Sequence, residues 1–579
     1  MSDQQPPEEP IQPSVPAFPP APGSEPPSGA RAPTPASEPR RNRGAIVAIV
    51  VAVVLVVACS GGALAYFKMR GGPSTVLDKL PAGADVAFIA HLDPAAAQKA
   101  NLFRLTEKFP DLGSREELTQ RFDEMVDQAL GGTSVSHEDL DWIGGEAGGY
   151  ADVGAGTPSF ALVVATDDEG AAAETLQRIQ EQDSASSGPG STTTISDVPV
   201  SVGSDGSAAA VFDGVAVLAS DENAIRSVID TANGASSIED EPTFRGVMDR
   251  LPEDNLGFMF VNIHELVSML SSIPAGVLPS MPSTAELDAA QGAGIAVTAQ
   301  SDSLAIDSVV TTDPSKLTSE QRDALAAGAR PNELLGLTPA NAFAVFAATG
   351  TATSGISTSP QGLGDQLDQI GELDPSAART IRRLHLQQLL GHLTGDVAVE
   401  VGHGSGLLPI GATVMLGIDD PGAVSGWLDR YLPGLLQEAE LSSGTKIELN
   451  SGDHDGVKIT SIQGAPPAEV SWAVLDKAVV IGLTPGDVGD AIDLSRGKGD
   501  PITSDPGFSS ATAEVPGTSN VVYVDVQAVL SVLKTFLPPD AYQQFLDAGG
   551  RDVEPIDVIV AGGTTDENGS TARVLIRVP

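Results

Sequence analysis

The chain has 579 residues, with 32 Lys and Arg against 77 Asp and Glu, a formal net charge of −45, and one Cys. Nucleic-acid binding rests on phosphate neutralisation by Lys and Arg, so this charge excludes it as the main activity; one Cys excludes a disulfide scaffold or a Cys-rich metal site. At 41% apolar residues, the length implies more than one domain, each with a real core.

Residues 1–43 hold 13 prolines and no apolar periodicity. Such a segment cannot bury enough surface to offset its ordering entropy, so it reads as a disordered, Pro-rich tail, partly polyproline II. Residues 44–67, GAIVAIVVAVVLVVACSGGALAYF, carry no charge. A helix of that length rises about 36 Å, enough for a hydrocarbon core of about 30 Å, which predicts one transmembrane helix. Tyr66 and Phe67 suit the membrane interface. Arg40, Arg41 and Arg43 precede the span, and Lys68 and Arg70 follow it. The positive-inside rule then predicts a single-pass cell-membrane protein with a cytoplasmic N-terminus and residues 68–579 extracellular. Cys59 follows Val56-Val57-Ala58, which offers a lipoprotein anchor as an alternative topology. The long polar lead and the apolar run continuing past Cys59 favour the uncleaved span. Residues 68–79 read as a tether, and the charge falls almost wholly on the part beyond the span.

Past the tether the chain repeats itself. ADVAFIAHLD from Ala84 is echoed by NAFAVFAATG from Asn341. FDGVAVLASDENAIRSVID from Phe212 is echoed by LDKAVVIGLTPGDVGDAID from Leu475, and LGFMFVNIHELVSML from Leu256 by NVVYVDVQAVLSVL from Asn520. The spacing predicts two α+β modules, 80–313 and 337–579, the second a repeat of the first. The connector 314–336 carries a short helix ending at Gly328. Ser114 with Glu117 forms a capping box ahead of an amphipathic helix, and Asp374-Pro375 starts its counterpart. Asp213-Gly214 and Asp455-Gly456 mark two-residue hairpins. Helices are expected at 221–231 and 485–493, and strands at 256–263 and 520–526. Hairpins dominate, so the sheets should be mostly antiparallel with helices on one face. The Ser/Thr/Gly-rich stretches 181–193 and 349–364 read as loops.

No motif carries a catalytic, cofactor or metal site. Among seven His there is no HExxH; His385 and His392 are seven apart, where ligation prefers three or four. Ser136-His137-Glu138-Asp139 reads as a capped short helix. Asp453-His454-Asp455-Gly456 superficially resembles a calcium loop, but Ile462 stands at the twelfth position where a Glu is needed, so it reads as a hairpin turn. Asp566-Glu567-Asn568-Gly569 reads the same way. Gly402-His403-Gly404-Ser405-Gly406 fails the nucleophile-elbow pattern.

The opening of the first module, Leu80-Pro81 through Asp93-Pro94 to Lys108-Phe109-Pro110, resembles a bacterial family of uncharacterised membrane proteins. This is the domain-of-unknown-function family 3352, found mainly in high-GC Gram-positive bacteria. The resemblance covers residues from about 40 to the end and implies a single-pass envelope protein without a known activity or site. The expected function is therefore non-enzymatic: exterior modules that bind a protein or envelope ligand, with the groove between modules as the default seat. The alternatives are an exported hydrolase with a site not visible as a motif, and a lipid or small-molecule carrier.

Overall fold

Asp213-Gly214 and Asp455-Gly456 both take left-handed backbone, with φ of 46° and 72° in the first pair and 53° and 81° in the second. That geometry matches the right-handed twist of the strands it joins, so each pair closes a tight hairpin. The computed structural model describes residues 75–109, 135, 137–153, 158–187, 190–264, 289–350, 385–404, 409–443, 446–463 and 469–579. The Pro-rich tail, the span 44–67 with Cys59, the helix expected after Ser114, Asp374-Pro375 and residues 351–364 lie outside these. Among the described residues no helix is long and apolar enough to cross a membrane.

The strands fall into two runs. The first is β1 (Val86–His91), β2 (Ile143–Asp152), β3 (Ser159–Thr166), β4 (Ser191–Ile195), β5 (Val198–Val202), β6 (Ala208–Phe212), β7 (Val215–Ala219), β8 (Gly257–Asn262), β9 (Ala290–Ala299) and β10 (Ser303–Thr312). The second is β11 (Ala342–Ala348), β12 (Leu393–His403), β13 (Ile410–Ile418), β14 (Glu448–His454), β15 (Val457–Gln463), β16 (Ser471–Val474), β17 (Ala478–Gly482), β18 (Asn520–Asp525), β19 (Val558–Asp566) and β20 (Gly569–Arg577). Every described pairing is antiparallel. In space the first run is ordered β4-β5-β6-β7-β3-β2-β1-β8-β9-β10. The second is ordered β14-β15-β16-β17-β13-β12-β11-β18-β19-β20, the same path with each strand number raised by ten. β10 pairs with β20, so both runs form one continuous sheet. The α+β expectation holds.

The described α-helices are α1 (Ala96–Thr106), α2 (Glu169–Ser187), α3 (Glu222–Ala232), α4 (Pro242–Met248), α5 (Ser319–Gly328), α6 (Leu386–Leu390), α7 (Pro421–Ser443), α8 (Pro485–Ser495), α9 (Pro506–Thr512), α10 (Val526–Phe536) and α11 (Pro539–Asp547). α5 ends at Gly328 as the sequence predicts. It starts from a capping box in which Thr318 accepts from Gln321 N and Gln321 reaches back to Thr318 N. Asp221 caps α3, accepting from Asn223 N and Ala224 N.

Helices cover both faces of the sheet, which corrects the one-face expectation. α3 buries Ile225, Val228 and Ile229 against Val163, Val215 and Val217. α2 buries Ala172 and Leu176 against Leu162, Val164 and Ala216, the alternate residues of the same strands. Each large aliphatic side chain so buried contributes roughly 1.5–3 kcal/mol. β3 is accordingly buried without interruption from Ala161 to Ala165, the pattern of a two-sided strand. In the second run α8 and α7 divide the faces likewise. A second correction concerns residues 181–193: α2 continues to Ser187 and β4 begins at Ser191, so much of the stretch is regular structure.

Each run also holds a buried carboxylate on its second strand, beside an irregularity in the pairing. Glu146 accepts from Thr75 N and Val76 N at 3.0 Å and lies 3.3 Å from His91 Nδ1. Asp396 accepts from Arg330 Nη2 through both oxygens at 2.7 Å. Both contacts tie down the segment entering the first strand of the run. Arg330→Ala should cost about 2 kcal/mol in urea unfolding, because it strands a buried carboxylate while removing only a part-exposed cation. An Asp396→Asn change on top of it should recover part of the loss; no recovery would show that the Arg330 stem, not its charge, matters.

Candidate functional site

The site is built where the β14–β15 hairpin folds over the start of α8. Thr484 caps α8 in a capping box with Asp487: Asp487 N donates to Thr484 Oγ1, and Thr484 N donates to the Asp487 carboxylate. The Asp455-Gly456 turn sends the hairpin back along the helix. His454 Nε2 lies 3.0 Å from Asp493 Oδ1, and its ring sits so close to Gly489 that a Cβ there would lie 3.4 Å from the ring. Lys498 Nζ lies 2.8 Å from Asp455 and holds its carboxyl below the usual carboxylate range.

Between hairpin and helix is an open hollow of about 560 Å³, with the exposed residues Asn450 to Asp453 on its hairpin side. Asn450, Ser451, Asp453, His454, Ser461 and Glu469 line it, with Ile459 and the Pro485-Gly486 helix start. Behind the lining, Ser461 Oγ is 2.8 Å from the Oγ of the buried Ser471, which donates to Glu469 O at 2.6 Å. The lining offers many acceptors, two of them the carboxylates of Asp453 and Glu469, beside apolar surface from Ile459 and Pro485. Such chemistry suits a ligand rich in hydroxyl, amide or ammonium groups and repels anions.

Glu400 lies beneath the same helix. It is 5% exposed, and Thr413 Oγ1 donates to its Oε1 at 2.6 Å. Burial pushes its carboxyl up to about 7, and Asp487 and Asp490 add to the rise. Asp490 is also raised, by burial first and then by Asp487 and Asp493, while His454 pulls it back. The register places Tyr150 at the corresponding point of the first run. Tyr150 pairs with Ala161 in β3 as Glu400 pairs with Thr413 in β13. There the phenol, pushed up to about 12 by burial, donates to Ala224 O at 3.0 Å. One scaffold position thus holds a neutral donor in one run and a titratable carboxyl in the other.

The sequence singled out His454 and its neighbours only as a turn. Asp455-Gly456 is that turn, while His454 itself bonds α8. Other motifs stay apart. His392 Nδ1 lies 3.1 Å from Asp419, and the His385 ring lies against Tyr431. His137–Leu140 forms one 3₁₀ turn whose Asp139 meets Arg178 at 2.7 Å; Ser136 lies outside the described residues. His403 stands edge-on to Phe343, and Ser405 and Gly406 lie outside the described residues. Among the described residues no group of three or more His, Cys, Asp and Glu could hold a metal ion. Glu400 went unnoticed in the sequence, although alternation places it on the face of Ala398 and Gly402, where a helix packs closely.

Fold and site together define an α+β protein built on one long antiparallel sheet, with a polar cavity in its second run. The chain belongs to the family described as Protein of unknown function (DUF3352), whose model matches residues 44–399. The match covers the first run and the start of the second and ends within β12, short of the chain end to which the resemblance was expected to reach. No curated protein matches the chain. Among solved structures, crystal forms IV and III of TP0453 align with 41% and 46% of this chain and 79% and 90% of theirs. Identity is 11% and 12%, with a TM-score of 0.23 for each, a likeness too weak to carry any argument.

Proposed function

We propose that this chain is a single-pass cell-envelope protein that binds a polar ligand without transforming it. Residues 44–67 cross the membrane, the Pro-rich tail is cytoplasmic, and residues 68–579 stand outside as two copies of one α+β module, 80–313 and 337–579. Support for the topology is the uncharged 24-residue run and its flanking arginines; support for the duplication is the repeated strand path. The ligand seat is the cavity over α8 rather than a groove between modules, because β10 and β20 join the runs strand to strand. The observation that carries the binding reading is that cavity, lined by hydrogen-bonding groups and acidic overall.

One experiment reads topology and ligand together. Protease added to intact cells should release a fragment beginning between residues 68 and 75, ahead of the buried Val76. Native mass spectrometry of that fragment should show a reproducible mass excess, lost when Gly452→Trp fills the cavity. A chain resistant until the cells are opened would overturn the topology. An identical, bare mass in wild type and variant would overturn the binding reading.

A further inference from the structure

The joint between the two runs places one position opposite itself. β10 and β20 pair with Asp307 directly against Arg573. Moving outward from the joint, Asp307 meets Ala296 and then Phe258, and Arg573 meets Gly562 and then Val521. Followed to the far side, the same row reaches Val217 in β7 and Val480 in β17, which the repeat FDGVAVLASD/LDKAVVIGLT places in register. Asp307 and Arg573 are therefore equivalent positions, and the local two-fold relating the runs passes between them.

Two identical modules joined in this way would meet symmetrically, so the residue on the axis would face a copy of itself. Here the two differ, and in sign. Arg573 Nε donates to Asp307 Oδ1 at 2.8 Å, and Arg573 Nη1 donates to Glu514 O at 3.2 Å. Asp307 is 4% exposed and its Oδ2 has no hydrogen-bond partner. A first run facing a first run would put two carboxylates into that buried spot; a second facing a second would put two guanidiniums there. Buried like charges are strongly unfavourable, whereas the opposite pair is compensated. Edge strands of this length are otherwise open to pairing with other chains.

We propose that Asp307 and Arg573 are a sorting pair. They commit β10 to β20 and close each strand to its own counterpart in a second copy of the chain. The inference rests on the sheet register and the duplication, not on the ligand reading, which can fail separately.

Two full-length variants carry the test, Asp307→Arg and Arg573→Asp, each in two differently tagged versions. Each single variant should lose roughly 3–10 °C of unfolding midpoint. The swap Asp307→Arg/Arg573→Asp in one chain should regain most of it. When the two single variants are coexpressed, reciprocal exchange of halves restores an opposite pair at both joints. They should co-purify at least tenfold more than wild type with itself or either variant with itself. If neither single variant accumulates alone, mutual rescue on coexpression reads the same sorting. A swap no better than the more damaged single variant, equal co-purification in every combination, or no mutual rescue overturns the proposal.

Discussion

Gly569→Ala should lower unfolding free energy by at least about 4 kcal/mol, a cost far above that of an ordinary surface substitution. Gly569 opens β20 opposite Thr311, at a φ of +132° that side-chain-bearing residues rarely adopt. A Cβ there would sit 1.9 Å from Val310 O. The obstacle is backbone, and Val310 is held in the ladder with β9 as well as the one with β20. Neither strand can retreat without breaking hydrogen bonds that join the runs. Gly497 provides the contrast. It too has positive φ, +71°, just after α8, but open space surrounds its missing Cβ. Gly497→Ala should cost only about 1 kcal/mol, the conformational term alone. Urea midpoints of the two variants, compared at unchanged slope, decide it; equal losses would show that the β10–β20 joint yields to the clash.

What the sequence disclosed was what short stretches encode. The Asp-Gly hairpins, the α3 and α8 helices behind Asp221 and Thr484, and the strands at Leu256 and Asn520 all carry their own signals within a dozen residues. The two-sided coverage was equally local, and was misread. Phe160 through Ala165 is a continuous apolar run, which signals burial on both faces, whereas hairpin-rich patterning suggested one. The 181–193 stretch misled through composition: Ser and Gly argued for a loop, but residues 181–187 extend a helix already anchored by Ala172 and Leu176. The β10–β20 joint was invisible for a different reason. It brings together residues some 266 positions apart, and nothing local to Ser303–Thr312 distinguishes a sheet edge from a sheet centre.

The candidate site depended on the same long-range register. Glu400 looks unexceptional in VAVEVGH until pairing sets it against Thr413 and beneath α8. Comparison of the two runs makes its character plain. Tyr150 and Glu400 share one scaffold position, as do Asp307 and Arg573, and at both the two runs carry different chemistry on the same backbone path. Sites of divergence of this kind, buried and polar, are where two copies of one fold can acquire separate duties.

Glu400→Gln should make the protein more stable at pH 8 and leave it nearly unchanged at pH 4.5. The ordinary value for Glu is 4.5 and the folded value is about 7, a rise caused first by burial. A raised carboxyl favours the protonated form in the fold. Its contribution is fully present below the unfolded value and is lost as pH rises through the folded one. Between about pH 4.5 and 7 the unfolded chain has released this proton while the folded chain retains it, so stability falls across that window. The full penalty above pH 8 is about 3 kcal/mol. Glutamine keeps the oxygen that accepts from Thr413 and never ionises. The difference in unfolding free energy between variant and wild type should therefore grow from within about 0.5 kcal/mol of zero at pH 4.5 to about 3 kcal/mol at pH 8. Asp487, Asp490 and Asp493 on α8 and His454 on the hairpin face the same region; they are common to both proteins and drop out of the difference to first order. A difference independent of pH would sink the assignment, because it would mean that Glu400 titrates in the folded chain as it does in the unfolded one.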